Sequence, residues 1–194
     1  MMQNIAIFLS GTGSNARAIC AYFQNHPQIS VGLLLSNKEN SGVKNIGEAY
    51  NIPYIIINKD EFRNPEVMLP ELNQHHITTI VLAGFLWLIP EYLLDAFPNK
   101  IINIHPALLP KYGGKGMHGI HVHEAVYKNK EKESGITIHL CNKEYDKGEI
   151  LFQKSVPLSE HETPDSIAKA VLNLEHQFYP VAIETFLLPH HNNL

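Results

Sequence analysis

The stretch "NIHPALLPKY", residues 103–112, follows an apolar run and at once presents Asn103 and His105. An amide can donate to a developing oxyanion, and an imidazole can carry a proton. Further on, "NKEYDKGEI" sets Asp146 in a glycine-flanked loop. A carboxylate beside an imidazole favours its charged form, so Asp146 could orient His105 and raise its pKa. The three suit acyl transfer to an amine, with a neutral nucleophile, a tetrahedral intermediate and proton shuttling. No Ser or Cys stands in a nucleophile elbow, which favours direct transfer over an acyl-enzyme. The same residues also read as a polar strand end, a histidine before proline and a turn aspartate. Spacing alone leaves both readings open.

A second stretch, "SGTGSNA" at 10–16, lies between an apolar run and a helical pattern. Gly11 and Gly13 allow a tight turn, and the amides of 12–15 with the helix N-terminus can cradle an anion. Gly11-x-Gly13-x-x-Ala16 also fits the dinucleotide fingerprint, but the second strand ends in Ser36-Asn37-Lys38, without the acidic residue that NAD requires. Ser14 and Asn15 suit a single terminal phosphate. The bland alternative is a glycine turn that binds nothing.

The elements that must carry these loops alternate. Strands are expected at 4–9, 31–37, 54–58, 78–84 and 100–105, with helices at 14–24, 44–51, 65–75 and 90–97 between them. Short apolar runs without alternation, separated by helices, require a parallel sheet covered on both faces. The carboxyl edge of such a sheet is where ligands bind, and both loops fall there. After residue 111 the rhythm changes. A glycine-rich loop leads to a helix at 121–129, then to strands at 134–141 and 149–158, plausible as an antiparallel pair. A long helix closes the chain, with Thr163 as its cap, Pro164 in its first turn and Pro180 set to kink or split it. The reading is one doubly wound, mostly parallel α/β domain over 1–194, with a phosphate-binding half at 1–100 and a catalytic half at 101–194.

Composition narrows the classes. The chain has 194 residues, 44% hydrophobic, with net charge -4, and only Arg17 and Arg63 among its fifteen basic residues are arginine. With pI about 6.3 and scattered lysines, a nucleic-acid substrate is disfavoured. The apolar runs are too short to span a membrane, and no export signal precedes the first strand. Cys20 and Cys141 form no motif and are expected as reduced thiols in a cytoplasmic protein. "HGIHVHE", 118–124, lacks the two-histidine zinc spacing, so no metal is expected. His75-His76 and His190-His191 read as solvated ends.

"GTGSN", "LAGFLWLI", "NIHPALLPKY", "SGITIHLCNKEYDKGEIL" and "LEHQFYP" occur in this order at fitting intervals. Together they resemble the folate-dependent formyltransferases, over nearly the whole chain, and GTGSN narrows the resemblance to the branch acting on glycinamide ribonucleotide. The resemblance implies a Rossmann-like formyltransferase fold. It implies that the ribonucleotide amine attacks the formyl carbon of 10-formyltetrahydrofolate, the co-substrate. Asn103 would stabilise the oxyanion, His105 would be the general acid/base, and Asp146 would raise the pKa of His105 and order a shuttling water. The phosphate would sit on Gly11, Thr12, Gly13, Ser14 and Asn15, and Glu175 would contact the ribose. Leu86, Trp87, Leu88 and Ile89, with Asn142, Lys143, Glu144 and Tyr145, would line the pterin pocket, and Arg63 would reach the folate tail. The family often carries Arg where this chain has Trp87, and its pterin contacts there are largely to backbone. Thr137 and His139 would lie near the catalytic groups, and the loop 113–123 could close over the substrates. By itself, Glu175-His176 in mid-helix reads as a surface pair. A monomer or weak homodimer is expected.

Three rivals remain. A formyltetrahydrofolate hydrolase would share the Asn, His and Asp but usually has a regulatory domain before the first strand. A formyltransferase acting on aminoacylated tRNA would need a basic surface and a further domain. A non-catalytic nucleotide-binding module would use only "SGTGSN" and would tolerate loss of His105.

Overall fold

The computed structural model describes residues 2–188, so His190 and His191 lie outside the described residues. Seven strands form one sheet in the order β3-β2-β1-β4-β5-β6-β7. The described chain divides into two compact units that meet at Ile102/Asn103.

The first unit alternates as its sequence demands. It contains β1 (Gln3–Leu9), α1 (Ser14–Phe23), β2 (Ile29–Ser36), α2 (Val43–Tyr50), β3 (Tyr54–Ile56), α3 (Lys59–Arg63), α4 (Pro65–Gln74), β4 (Thr79–Leu82) and α5 (Glu91–Ala96). β1 pairs in parallel with β2 and β4, and β2 with β3. From Ile5 to Leu9 every residue of β1 is fully buried. A central parallel strand has both faces covered, so side chains on either side of the pleat must be apolar. Each of the Ile, Phe and Leu side chains contributes about 1.5–3 kcal/mol by leaving water.

One expectation is corrected here. The strand placed at 54–58 stops at Ile56, because Asn58 turns to cap α3, accepting from Asp60 and Glu61 amides while Glu61 bonds back to its own amide. That short helix was not anticipated. Trp87 packs its ring against Phe62 and Phe85, and both of these also meet Phe8.

β5 (Ile101–His105) leads into the second unit, which holds α6 (Ile120–Lys128), β6 (Glu133–Leu140), β7 (Ile150–Pro157) and α7 (Pro164–Leu187). β6 and β7 are antiparallel, placing Thr137 opposite Gln153. α7 begins at a reciprocal cap between Thr163 and Ser166. It then runs unbroken for 24 residues through Pro180, so the proline does not split it. Packing against β6, β7 and α6 outweighs the ~3 kcal/mol an interior proline costs. α6 starts at Ile120, so the glycine-rich loop ends there and His121 and His123 are helical.

Candidate active site

The turn after β5 is held from β6. The Thr137 hydroxyl, fully buried, donates to the Ala107 carbonyl at 2.6 Å and accepts from the Leu109 amide at 2.9 Å. Gln153 Nε2 donates both to Thr137 Oγ1 and to the Leu109 carbonyl. Thr137 thus clamps the turn that follows Asn103 and His105. Gln153, its cross-strand neighbour, was missed from sequence because its part depends on the register of β6 against β7.

His105 is 3% exposed. Its Nε2–H donates to the Tyr112 carbonyl at 2.7 Å, and its Nδ1 faces Asp146 Oδ2 at 3.6 Å. A carbonyl can only accept, so Nε2 keeps its proton and any proton gained goes onto Nδ1, facing the carboxylate. Burial holds the imidazole below its ordinary value, although Asp146 and the Tyr112 carbonyl both favour the charged form. The expectation of a raised pKa therefore has the right sign for Asp146 but not for the sum, because desolvation is the larger effect.

Asp146 has φ 55°, in the left-handed region. Its Oδ2 accepts from the Gly114 amide at 2.8 Å, and its Oδ1 lies 3.5 Å from His139 Nε2. Burial works to raise its pKa, but the neighbouring His139 and His105 imidazoles and the Gly114 amide outweigh this and hold the carboxyl low. Two glycines permit the fit. A Cβ at Gly148 would stand 1.6 Å from the Leu140 carbonyl oxygen, and one at Gly113 would meet Leu109 at 2.5 Å.

His139, 1% exposed, completes the group. Its Nδ1–H donates to the Leu140 carbonyl at 2.9 Å, which leaves Nε2 to accept from Asn103 Nδ2 at 3.1 Å. Asn103, His105, His139 and Asp146 therefore form one connected set. The amide of Asn103 retains a second N–H for an oxyanion, beside a proton carrier and a carboxylate.

In the other unit, the 10–16 loop joins β1 to α1. Gly13, at φ 78°, is the N-cap of α1, and a Cβ there would meet Ile46 and Leu9. No acidic residue occupies the first turn, so the helix N-terminus keeps its attraction for anions. The loop is braced by the turn before α2. The Gly42 amide donates to the Gly11 carbonyl at 3.0 Å, and a Cβ at Gly42 would stand 1.9 Å from the Thr12 carbonyl oxygen. Ser10 accepts from the Leu86 amide at 3.0 Å, tying the loop to the 86–89 segment. Gly42 was missed because nothing nearby in sequence links it to residue 12.

The remaining candidates separate. Leu86 and Leu88 are exposed, Ile89 is buried, and Arg63 is exposed at the end of α3. In the 142–146 loop, Asn142 spends its side chain internally, accepting from the Glu144 amide and donating to the Lys147 carbonyl. Lys143 and Glu144 are exposed, and Tyr145 is 41% exposed. Glu175 is buried rather than part of a surface pair, and its charge bears on the fully buried Tyr179. His118 and His121 are exposed, whereas His123 is buried, its pKa lowered by desolvation and by His105. His75 pairs with Glu71 at 3.3 Å. Both thiols are free and pushed up to about 12 by burial. Among the described residues no three His, Cys, Asp or Glu side chains converge as metal ligands, and no helix is long and apolar enough to cross a membrane.

A mostly parallel sheet with a glycine loop after its first strand, and an Asn-His pair closing its fifth strand beside an aspartate from the loop after its sixth, places the chain in a defined class. The formyl transferase family matches residues 3–183, and the chain belongs to it. It is similar to the chloroplastic phosphoribosylglycinamide formyltransferase of Arabidopsis thaliana, 40% identical, covering 91% of this chain and 63% of that protein. Its length thus spans under two thirds of that relative. The phosphoribosylglycinamide formyltransferase of Bacillus subtilis is 34% identical, over 96% of this chain and 95% of its own. Among solved structures, glycinamide ribonucleotide transformylase 1 of Geobacillus kaustophilus superposes with a TM-score of 0.87 at 29% identity, covering 96% and all of the two chains.

Proposed function

We propose that this chain transfers the formyl group of 10-formyltetrahydrofolate to the amine of glycinamide ribonucleotide. The observation that carries the reading is the linked set Asn103, His105, His139 and Asp146, in a chain whose relatives bear that activity by name. The amine nitrogen attacks the formyl carbon, the C=O electrons move to oxygen, and the free N–H of Asn103 donates to that oxyanion. Collapse breaks the bond to the folate nitrogen. One proton leaves the attacking nitrogen and one reaches the departing nitrogen. His105 carries it on Nδ1, where Asp146 supports the imidazolium. The backbone of Gly11, Thr12, Gly13, Ser14 and Asn15 takes the phosphate, and Glu175 takes a ribose hydroxyl. Leu86, Leu88 and Tyr145 offer apolar surface to the pterin, Trp87 and Ile89 contribute backbone, and Arg63 meets the folate carboxylates. Asn142, Lys143 and Glu144 act through the fold of their loop.

Purified protein, the folate and the ribonucleotide are followed by absorbance, with and without the ribonucleotide and with His105→Ala. Folate product only with the ribonucleotide, largely lost in the variant, supports the transferase. Product without it points to a hydrolase. No turnover under either condition removes the assignment.

A further inference from the structure

The Glu131 carboxylate is tied to the turn that holds His105. Glu131 stands between α6 and β6, where the end of the helix fixes its backbone. Lys130 is at φ 51°, its amide donates to the Tyr127 carbonyl at 3.0 Å, and the Glu131 amide donates to the Val126 carbonyl at 3.3 Å. This paired closure around a left-handed residue is a common way for a helix to stop. From that fixed point the carboxylate accepts from the Tyr112 hydroxyl at 2.8 Å and from Lys111 Nζ at 3.1 Å. The Tyr112 hydroxyl and Lys111 hold the carboxyl below its ordinary value, so it stays ionised.

Tyr112 needs an anchor. Its φ is 57°, a costly conformation for a bulky aromatic residue. Released from Glu131, the backbone relaxes towards negative φ, and the carbonyl moves with it. That carbonyl is the acceptor for His105 Nε2 at 2.7 Å. Two residues on, the Gly114 amide holds Asp146 Oδ2, the oxygen 3.6 Å from His105 Nδ1. The stretch 112–114 thus places the groups that face both ring nitrogens. We propose that Glu131 is a positioning residue for His105, holding Tyr112 so that Nε2 keeps its proton and Nδ1 is the nitrogen left to gain one. Without Glu131, Nε2 loses its acceptor, and the neutral ring can carry its proton on Nδ1 instead, against the carboxylate. The tautomer lock rests on geometry alone, and only its effect on turnover rests on the proposed reaction.

The intact chain is compared with Glu131→Ala, Tyr112→Phe and the double variant. Asp146, His139 and His123, the other titratable groups that bear on the ring, stay in place in all of them. Nitrogen NMR of the imidazoles, at a pH where His105 is neutral, reads which nitrogen carries the proton. The ratio of Nε2–H to Nδ1–H should fall about threefold to tenfold in either single variant, as for one hydrogen bond lost. The double variant should fall no further, because both substitutions break one link. Glu131→Gln keeps an acceptor for Tyr112 and should recover part of the ratio. In the formyl-transfer assay kcat should fall by a similar factor, with the ribonucleotide KM unchanged. An unchanged ratio in the single variants overturns the lock, as does a double variant whose loss is the product of the two. A shifted ratio with wild-type kcat overturns its part in turnover. A shifted ratio in a chain that shows no turnover even as wild type removes the proposed reaction and supports the lock.

Discussion

His139 Nε2 accepts from Asn103 Nδ2 at 3.1 Å, and the same imidazole is pinned through Nδ1 to the Leu140 carbonyl. One tautomer therefore decides which end of the Asn103 amide faces His139. Were Nε2 to carry the proton, the amide would turn its oxygen to His139 and swing its N–H groups away. His139 is a positioning residue for Asn103. Replacing Asn103 with Ala should lower kcat about 10²–10³-fold, the range for an oxyanion donor. His139→Phe should lower kcat by less and leave the ribonucleotide KM unchanged. A His139→Phe enzyme with wild-type kcat would remove this role.

The His105 titration has a definite direction. Burial already holds it below the ordinary value near 6.5. Asp146→Asn removes the charge that favours imidazolium, so the midpoint should fall further. Imidazole NMR against pH reads this directly, and a rise in the variant would contradict the geometry.

Stability should weaken on mild acidification. His105, His123 and His176 all have lowered pKa values, chiefly through burial. A histidine depressed in the folded state binds fewer protons there than when unfolded. Its contribution is complete above the unfolded value, near 6.5, and is lost as pH falls towards the folded one. Denaturant midpoints should decline from about pH 7.5 to about pH 5.5, a range that brackets the ordinary histidine value. Asp146, also lowered, adds its own loss only below the ordinary carboxylate range.

Thr137→Val keeps the shape and removes three hydrogen bonds around a buried oxygen. The Ala107 carbonyl and Leu109 amide lose their partner, costing about 1–3 kcal/mol. Melting should drop by several degrees, and kcat should fall with it, because the turn carrying His105 loosens. Thr137→Ser should restore both. Equal activity in the valine variant would mean the clamp is structurally redundant.

Gly42→Ala drives a methyl into the Thr12 carbonyl. The 10–16 loop must shift, so ribonucleotide binding should weaken at least tenfold, a loss of about 1.4 kcal/mol. Calorimetric titration with the ribonucleotide measures this. Folate binding serves as the control for a folded chain.

Much of this was legible in residues that lie close together in the chain. The strand-helix alternation follows from unbroken apolar runs such as Ile5–Leu9, which only a doubly covered sheet explains. Asn103 and His105 stand out because they close one strand just ahead of two prolines. What depended on pairing between distant segments was hidden. Gln153 reaches Thr137 only through the β6–β7 register, and Gly42 touches Thr12 only once two loops meet. The continuity of α7 through Pro180 was obscured because local propensity opposes it and tertiary packing overrides it. The direction of the His105 shift turned on burial, which no spacing reveals.

β7 ends the sheet, with Gln153, Lys154 and Ser155 exposed along it. An unpaired edge invites association with other chains, and natural proteins blunt such edges with charges, prolines or bulges. Here that freedom is curtailed. The strand that borders solvent is also the one whose glutamine steadies the turn beneath the imidazole. A proline or bulge near 153 that guarded against aggregation would displace this amide, so protection of the edge and the hold on the turn after His105 are set against each other at a single position. Lys154, one residue along, carries its charge over the Phe178 ring and provides protection without disturbing the clamp.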